Sequence, residues 1–89
     1  MQLIFLDSFY KDIKKIKEKS IKNRLKTAII KLEETEGFLN SKHLVKIKGH
    51  PTAFRIRIGS YRLGCYLKSK DTLILARFIK RNDIYKVFP

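Results

Sequence analysis

Apolar and polar residues keep two different periods along this chain, one in each half, and the change of period is the first guide to its fold. Gln2 to Leu6 is a short apolar run that reads as a strand leading straight into a helix, with Asp7 and Ser8 as N-caps. From Phe9 onward, Phe9, Ile13 and Ile16 follow the i, i+4, i+7 stripe of a helix while Lys11, Lys14, Lys15 and Lys17 fill its other side. Lys19-Ser20 offers a break and a new N-cap. Ile21, Leu25, Ala28, Ile29 and Leu32 then form a second stripe, with Gly37 as its stop just past Glu36. The pattern predicts an αα-hairpin whose shared apolar seam must be covered.

The second half supplies the cover, because there the period falls to 2. Arg55 to Ile58 and Tyr61 to Leu67 are strand-like runs separated by Gly59-Ser60, which suits a two-residue hairpin turn with Gly at its first position. Alternation through Ala53-Phe54-Arg55-Ile56-Arg57-Ile58 turns Phe54, Ile56 and Ile58 toward a core and projects Arg55 and Arg57 from the opposite face. Thr72 to Ile79 is a third run, apolar enough to be central, reached through the Ser69-Lys70-Asp71 turn. Lys80 to Phe88 reads as a short terminal helix or an edge segment. With no linker, repeat or low-complexity tract, the expectation is one α+β domain over residues 1–89: an N-terminal strand and helical hairpin packed on a twisted antiparallel sheet, closed by a short C-terminal segment.

Charge changes this picture from a fold to a surface with a purpose. The 89 residues include 21 Lys and Arg against 8 Asp and Glu, a formal charge of +13, and 44% are hydrophobic, enough for a small folded domain. The run from Phe38 to Lys70 contains no acid but carries Lys42, Lys46, Lys48, Arg55, Arg57, Arg62, Lys68 and Lys70. A merely solvated surface would intersperse acids, whereas these are segregated, so an anionic partner is expected: RNA, DNA or an acidic protein. Cys65, flanked by Leu63 and Leu67 at strand spacing, reads as a small core residue. His43 and His50 with a single Cys cannot make a structural metal site, and Gly49 and Gly59 belong to no phosphate-cradling loop, so neither metal nor small-molecule cofactor is expected. Glu33, Glu34 and Glu36 read as a solvated helix end. The N-terminus lacks the features of a signal peptide and no window approaches a membrane span, which makes a cytoplasmic protein the expectation.

What remains is a set of bases with aromatics. Arg62 lies just past the turn, where its face matches that of Arg55 and Arg57; Lys80, Arg81 and Tyr85 follow the third strand, and Lys46, Lys48, Tyr61 and Tyr66 lie nearby. Crowded guanidinium groups repel one another unless an anion sits among them, and a phosphate accepts bidentate hydrogen bonds from such forks. The same set suits RNA cleavage by the RNA's own 2′-hydroxyl, which needs stabilisation of the phosphorane and the movement of protons. Arginines do the first; Lys46, Lys48 and Lys80 are candidates for the second, since neighbouring positive charge disfavours an ammonium.

The order Lys46-Ile47-Lys48-Gly49, then Phe54-Arg55-Ile56-Arg57-Ile58-Gly59-Ser60-Tyr61-Arg62-Leu63, then Lys80-Arg81-Asn82-Asp83-Ile84-Tyr85, together with Phe9-x-x-Asp12-Ile13-x-x-Ile16, resembles the RelE/ParE superfamily of toxins from toxin–antitoxin operons over essentially the whole chain. The resemblance implies the helical hairpin on a sheet already read from the periods. On the RelE side it implies an mRNA interferase that enters the ribosomal A site and cleaves the codon there, held inactive by a cognate acidic antitoxin. Arg55, Arg57, Arg62, Arg81 and Tyr85 match its functional positions and Lys80 stands where many relatives carry a His, which makes these six the candidate catalytic residues; Lys46, Lys48, Tyr61 and Tyr66, from the set of bases and aromatics, are the candidate RNA contacts. The alternatives are a ParE-like inhibitor of DNA gyrase and a decayed toxin acting as a basic RNA-binding module.

Overall fold

Strand β1 (Gln2–Phe5) runs directly into helix α1 (Asp7–Lys14) in the computed structural model of the chain, which describes residues 1–38 and 41–89. Asp7 and Ser8 do not cap this helix. The N-cap is Leu6, extended and without a side-chain bond, because Leu6 still belongs to the sheet: its N–H donates to the Leu75 carbonyl at 3.1 Å. Asp7 instead lies in the first turn, where a carboxylate complements the helix dipole, and Ser8 Oγ donates to the Ala76 carbonyl at 2.6 Å. Helix α2 (Lys19–Glu34) starts just before the expected cap, with Glu18 as N-cap, so Ser20 lies inside it. It also ends before Gly37, at Thr35, whose hydroxyl donates to the Lys31 carbonyl at 2.7 Å.

The second half forms strands β2 (Val45–Lys46), β3 (Ala53–Ile58), β4 (Tyr61–Ser69) and β5 (Thr72–Lys80), then a 3-10 turn over Ile84–Lys86. The five-stranded sheet has the order β1-β5-β4-β3-β2, so β5 is interior as its apolar run predicts. β1 pairs with β5 in parallel, Leu3 beside Leu73 and Phe5 beside Leu75, while the other pairs are antiparallel. The sheet is therefore mixed. The long path through the helical hairpin and β2–β4 gives the crossover that a parallel pair requires.

One face of the sheet carries the helices. Phe9, Ile16, Ile21, Leu25 and Leu32 from the helical half pack on Ile56, Ile58, Leu63, Leu73, Leu75 and Phe78, all buried. Cys65 lies in this core at 0% exposure, and burial pushes its thiol pKa far above the ordinary range. Keeping both Leu75 and Phe78 on this face requires a break in alternation, and β5 has one: opposite Gly64 and Cys65 the register skips, leaving Ala76 as the extra residue. Buried Asp12 of α1 pins the bulge, accepting from Arg77 Nε at 2.8 Å, Arg77 Nη2 at 3.1 Å and the Phe78 N–H at 2.9 Å. The opposite face has a smaller cluster, Ala53, Ala76, Ile84 and Phe88. Gly64 makes room for it, since a Cβ there would lie 2.6 Å from the Phe88 ring.

Candidate functional site

The Gly59-Ser60 turn organises the cationic residues. Ile58 pairs with Tyr61 across it, and Gly59 takes φ +61°, a conformation that side-chain-bearing residues adopt only with strain. With that register, Arg57 stands directly opposite Arg62 and Arg55 opposite Gly64, so all three arginines share the face away from the helices. Like charges in opposed positions are unfavourable. Arg62 is nevertheless held there, only 7% exposed, by Nη1 donating to the Gly59 carbonyl at 3.1 Å and the Tyr61 carbonyl at 2.9 Å.

Burial holds the Arg62 guanidinium below its usual pKa, and the nearby charges of Arg57, Arg55 and Arg81 push it in the same direction, while Tyr85 opposes them. The strand register sets Arg55 and Arg57 beside Arg62, and Arg81 and Tyr85 act on the same guanidinium. None of the four arginines has a carboxylate partner among the described residues; the ion pairs there are Arg77 with Asp12 and Lys86 with Asp83. Arg81 reaches the cluster because its backbone N–H donates to the Ser60 carbonyl at 2.9 Å, tying the end of β5 to the turn. Beyond it, Ile84 and Phe88 are buried on Ala53, Gly64 and Ala76, leaving Tyr85 54% exposed between them. The small residues beneath the tail thus set where the tyrosine stands.

The other candidates lie elsewhere. Lys80 is paired with Tyr61, so alternation turns it to the helix-bearing face, away from Arg62. Lys46 is paired with Phe54 and projects the same way, and Lys48 occupies an exposed turn. Tyr61, expected to contact RNA, is a core residue whose ring stacks on Phe78 at 5.1 Å. Tyr66 is half-buried with its ring 4.9 Å from Phe88, so it supports the tail. Parity decides the outcome for Lys80, Lys46 and Tyr61, whereas Lys48 lies off the strands and Tyr66 shares the Arg62 face but packs on Phe88. Among the described residues no group of three or more His, Cys, Asp or Glu side chains is placed to hold a metal, and no helix is long and apolar enough to cross a membrane.

Two features were not anticipated. The Asp12–Arg77 pair depends on the β5 bulge, which alternation cannot reveal. Arg24, on α2, lies against the same turn: its Nη1 is 2.7 Å from where a Gly59 Cβ would be. It lines a groove of about 710 Å³ between α2 and β3, together with aliphatic Ala28, Leu32, Ile56 and Ile58, the bases Lys31, Lys42, His43 and Arg57, and the acid Glu34. The only sequence signal for it is a lone arginine in a lysine-rich helix.

No family model matches the chain. It is 34% identical over 90 residues to toxin RelE3 of Methanocaldococcus jannaschii, covering the whole of both chains. Among solved structures, the RelB–RelE antitoxin–toxin complex from Methanococcus jannaschii matches with a TM-score of 0.78 and 36% identity over 97% of this chain and 99% of that one. A copper-bound mutant toxin from Helicobacter pylori (TM-score 0.60, 21% identity, 94% and 98% coverage) shares the fold. So does the toxin–antitoxin complex RelBE2 from Mycobacterium tuberculosis (0.58, 18%, 90% and 96%).

Proposed function

Because the chain belongs to the RelE family of toxins of type II toxin–antitoxin systems, we propose that its arginine cluster grips a messenger RNA backbone and cleaves it by attack of a 2′-hydroxyl on the neighbouring phosphorus. The observation that carries this reading is the convergence of Arg55, Arg57, Arg62 and Arg81 on one face with no carboxylate partner among the described residues. The reaction forms a pentacoordinate phosphorane with added negative charge, and preorganised donors aimed at that charge accelerate it. Arg62 suits the task because two carbonyls fix its fork before substrate arrives. Arginine keeps its proton in proteins and so serves as a charge rather than as a base. Tyr85, 54% exposed and acting on the Arg62 guanidinium, carries a hydroxyl that both donates and accepts; it positions the nucleotide and relays a proton. Products are a 2′,3′-cyclic phosphate and a free 5′-hydroxyl.

The substrate is codon RNA presented in the ribosomal A site, in the cytoplasm. The inhibitory partner is an acidic antitoxin, supported by the RelB-bound relative and by the +13 charge of the chain. Expression of the wild type arrests growth and yields fragments ending in a cyclic phosphate. Arg62→Ala restores growth and lowers the cleavage rate by about 10²–10³-fold, the usual consequence of losing one donor to a developing anion. If Arg62→Ala and Arg81→Ala both cut translated mRNA at the wild-type rate, the reading is wrong. Inhibition of DNA supercoiling without ribosomes would instead place the chain with gyrase inhibitors.

A further inference from the structure

We propose that Arg24 is a second phosphate-binding residue, holding the RNA phosphate next to the one gripped at Arg62, an inference that rests on the reading of the cluster as an RNA site. Both guanidinium groups touch the same residue from different sides: Arg62 Nη1 donates to the Gly59 carbonyl at 3.1 Å, and Arg24 Nη1 lies 2.7 Å from where a Gly59 Cβ would be. The glycine is thus a saddle between two cations. A side chain at this position would occupy the space that the Arg24 guanidinium fills, so the close approach exists only because the turn requires Gly at φ +61°.

Arg24 has nothing else to do there. It is exposed and makes no hydrogen bond or ion pair with another described residue, so its donors are free for a ligand. Its place comes from helix packing instead: Ile21, one turn earlier on α2, is buried and its Cδ1 lies 3.1 Å from the same Cβ position. A strand of RNA leaving the Arg62 cluster across the turn meets this guanidinium next. The groove beyond it is lined by aliphatic Ala28, Leu32, Ile56 and Ile58, and its one ring is the His43 imidazole, so it offers no Phe, Tyr or Trp platform for the bases to stack on. Arg24 therefore reads the backbone and contributes affinity without sequence preference.

The test is the salt dependence of binding to a short oligoribonucleotide made uncleavable by 2′-O-methyl groups, compared for wild type, Arg24→Ala and Arg24→Lys in the full chain. Alanine is the best helix former and the site is exposed, so the variant folds; circular dichroism verifies it. Losing one single-strand phosphate contact makes the slope of log K against log salt shallower by about 0.7. Over a fourfold rise in salt, the variant then loses about 2.6-fold less affinity than the wild type, equally for different sequences, and Arg24→Lys restores the wild-type slope. A wild-type slope in Arg24→Ala overturns the proposal while leaving the cluster reading intact. So does an unchanged slope accompanied by weaker binding of an acidic antitoxin peptide, which would assign Arg24 to a protein partner. If the wild type itself shows no salt-dependent RNA binding, the reading of the cluster fails and this proposal falls with it.

Discussion

Replacing Arg57 should make the protein more stable and less active, and the size of the effect follows from the hairpin. Arg57 and Arg62 are directly opposed across β3 and β4, an arrangement that costs on the order of 0.2–1 kcal/mol for like charges. Arg55 and Arg81 add repulsion around Arg62. Arg57 is exposed, so water and salt screen its share, and its removal opens no cavity. Arg57→Gln is therefore expected to stabilise by about 0.5–1 kcal/mol in low salt. For a domain of this size each kcal/mol moves the melting temperature by about 4–8 °C, which gives a rise of about 2–8 °C by circular dichroism. In about 1 M salt the Debye length falls to about 3 Å, shorter than the strand spacing, and the gain should vanish. Arg57→Lys keeps the charge and should melt with the wild type. An Arg57→Gln variant that melts lower in low salt, or whose gain survives high salt, would show that the cluster is not under electrostatic strain.

Other positions make separate predictions. Asp12→Ala leaves the Phe78 N–H without its acceptor and a partly buried Arg77 without its counter-charge; it should cost about 3 kcal/mol in urea denaturation, at the low end for breaking a buried pair because Arg77 retains some contact with water. Gly64→Ala forces a methyl group into the Phe88 ring and should cost about 1–3 kcal/mol, releasing the tail so that Tyr66, half-buried against Phe88, becomes more quenchable in tyrosine fluorescence and cleavage falls. Cys65 should resist alkylation in the native state at pH 8. Its pKa is raised, so the thiolate is depleted at any pH below that value, and labelling should appear only when urea unfolds the chain.

Much of this architecture was legible because two signals agreed with each other. The helical stripes and the period-2 runs identify the hairpin of helices and β3 to β5, and Gly59-Ser60 fixes the register that sets Arg57 against Arg62. The C-terminal arginine and tyrosine were legible only through resemblance, because nothing local shows that Arg81 will bond back to Ser60. Lys80, Tyr61 and Lys46 stand on the face away from Arg62 for one shared reason: nearness in sequence to the arginines says nothing of parity, and a single step along a strand moves a side chain to the other face. The bulge at Ala76 escaped because it conserves the apolar run while shifting its phase. Leu6 escaped as a cap because a strand that pairs in parallel holds the chain up to the first residue of α1.

The backbone of a two-residue turn does the positioning that acidic side chains do in most cationic sites. Gly59 and Tyr61 carbonyls hold Arg62, the Ser60 carbonyl holds the chain at Arg81, and the missing Cβ of Gly59 admits Arg24. Carbonyl oxygens orient a guanidinium without cancelling its charge, so the cations stay available to a ligand, and they continue to repel one another until it arrives. Folding and binding are linked through that repulsion. A polyanion present at about a hundred times its Kd would add about 2.7 kcal/mol to stability, more than the roughly 1 kcal/mol that Arg57→Gln can recover. The unliganded domain therefore gains from losing an arginine, whereas the liganded one is most stable with the cluster complete.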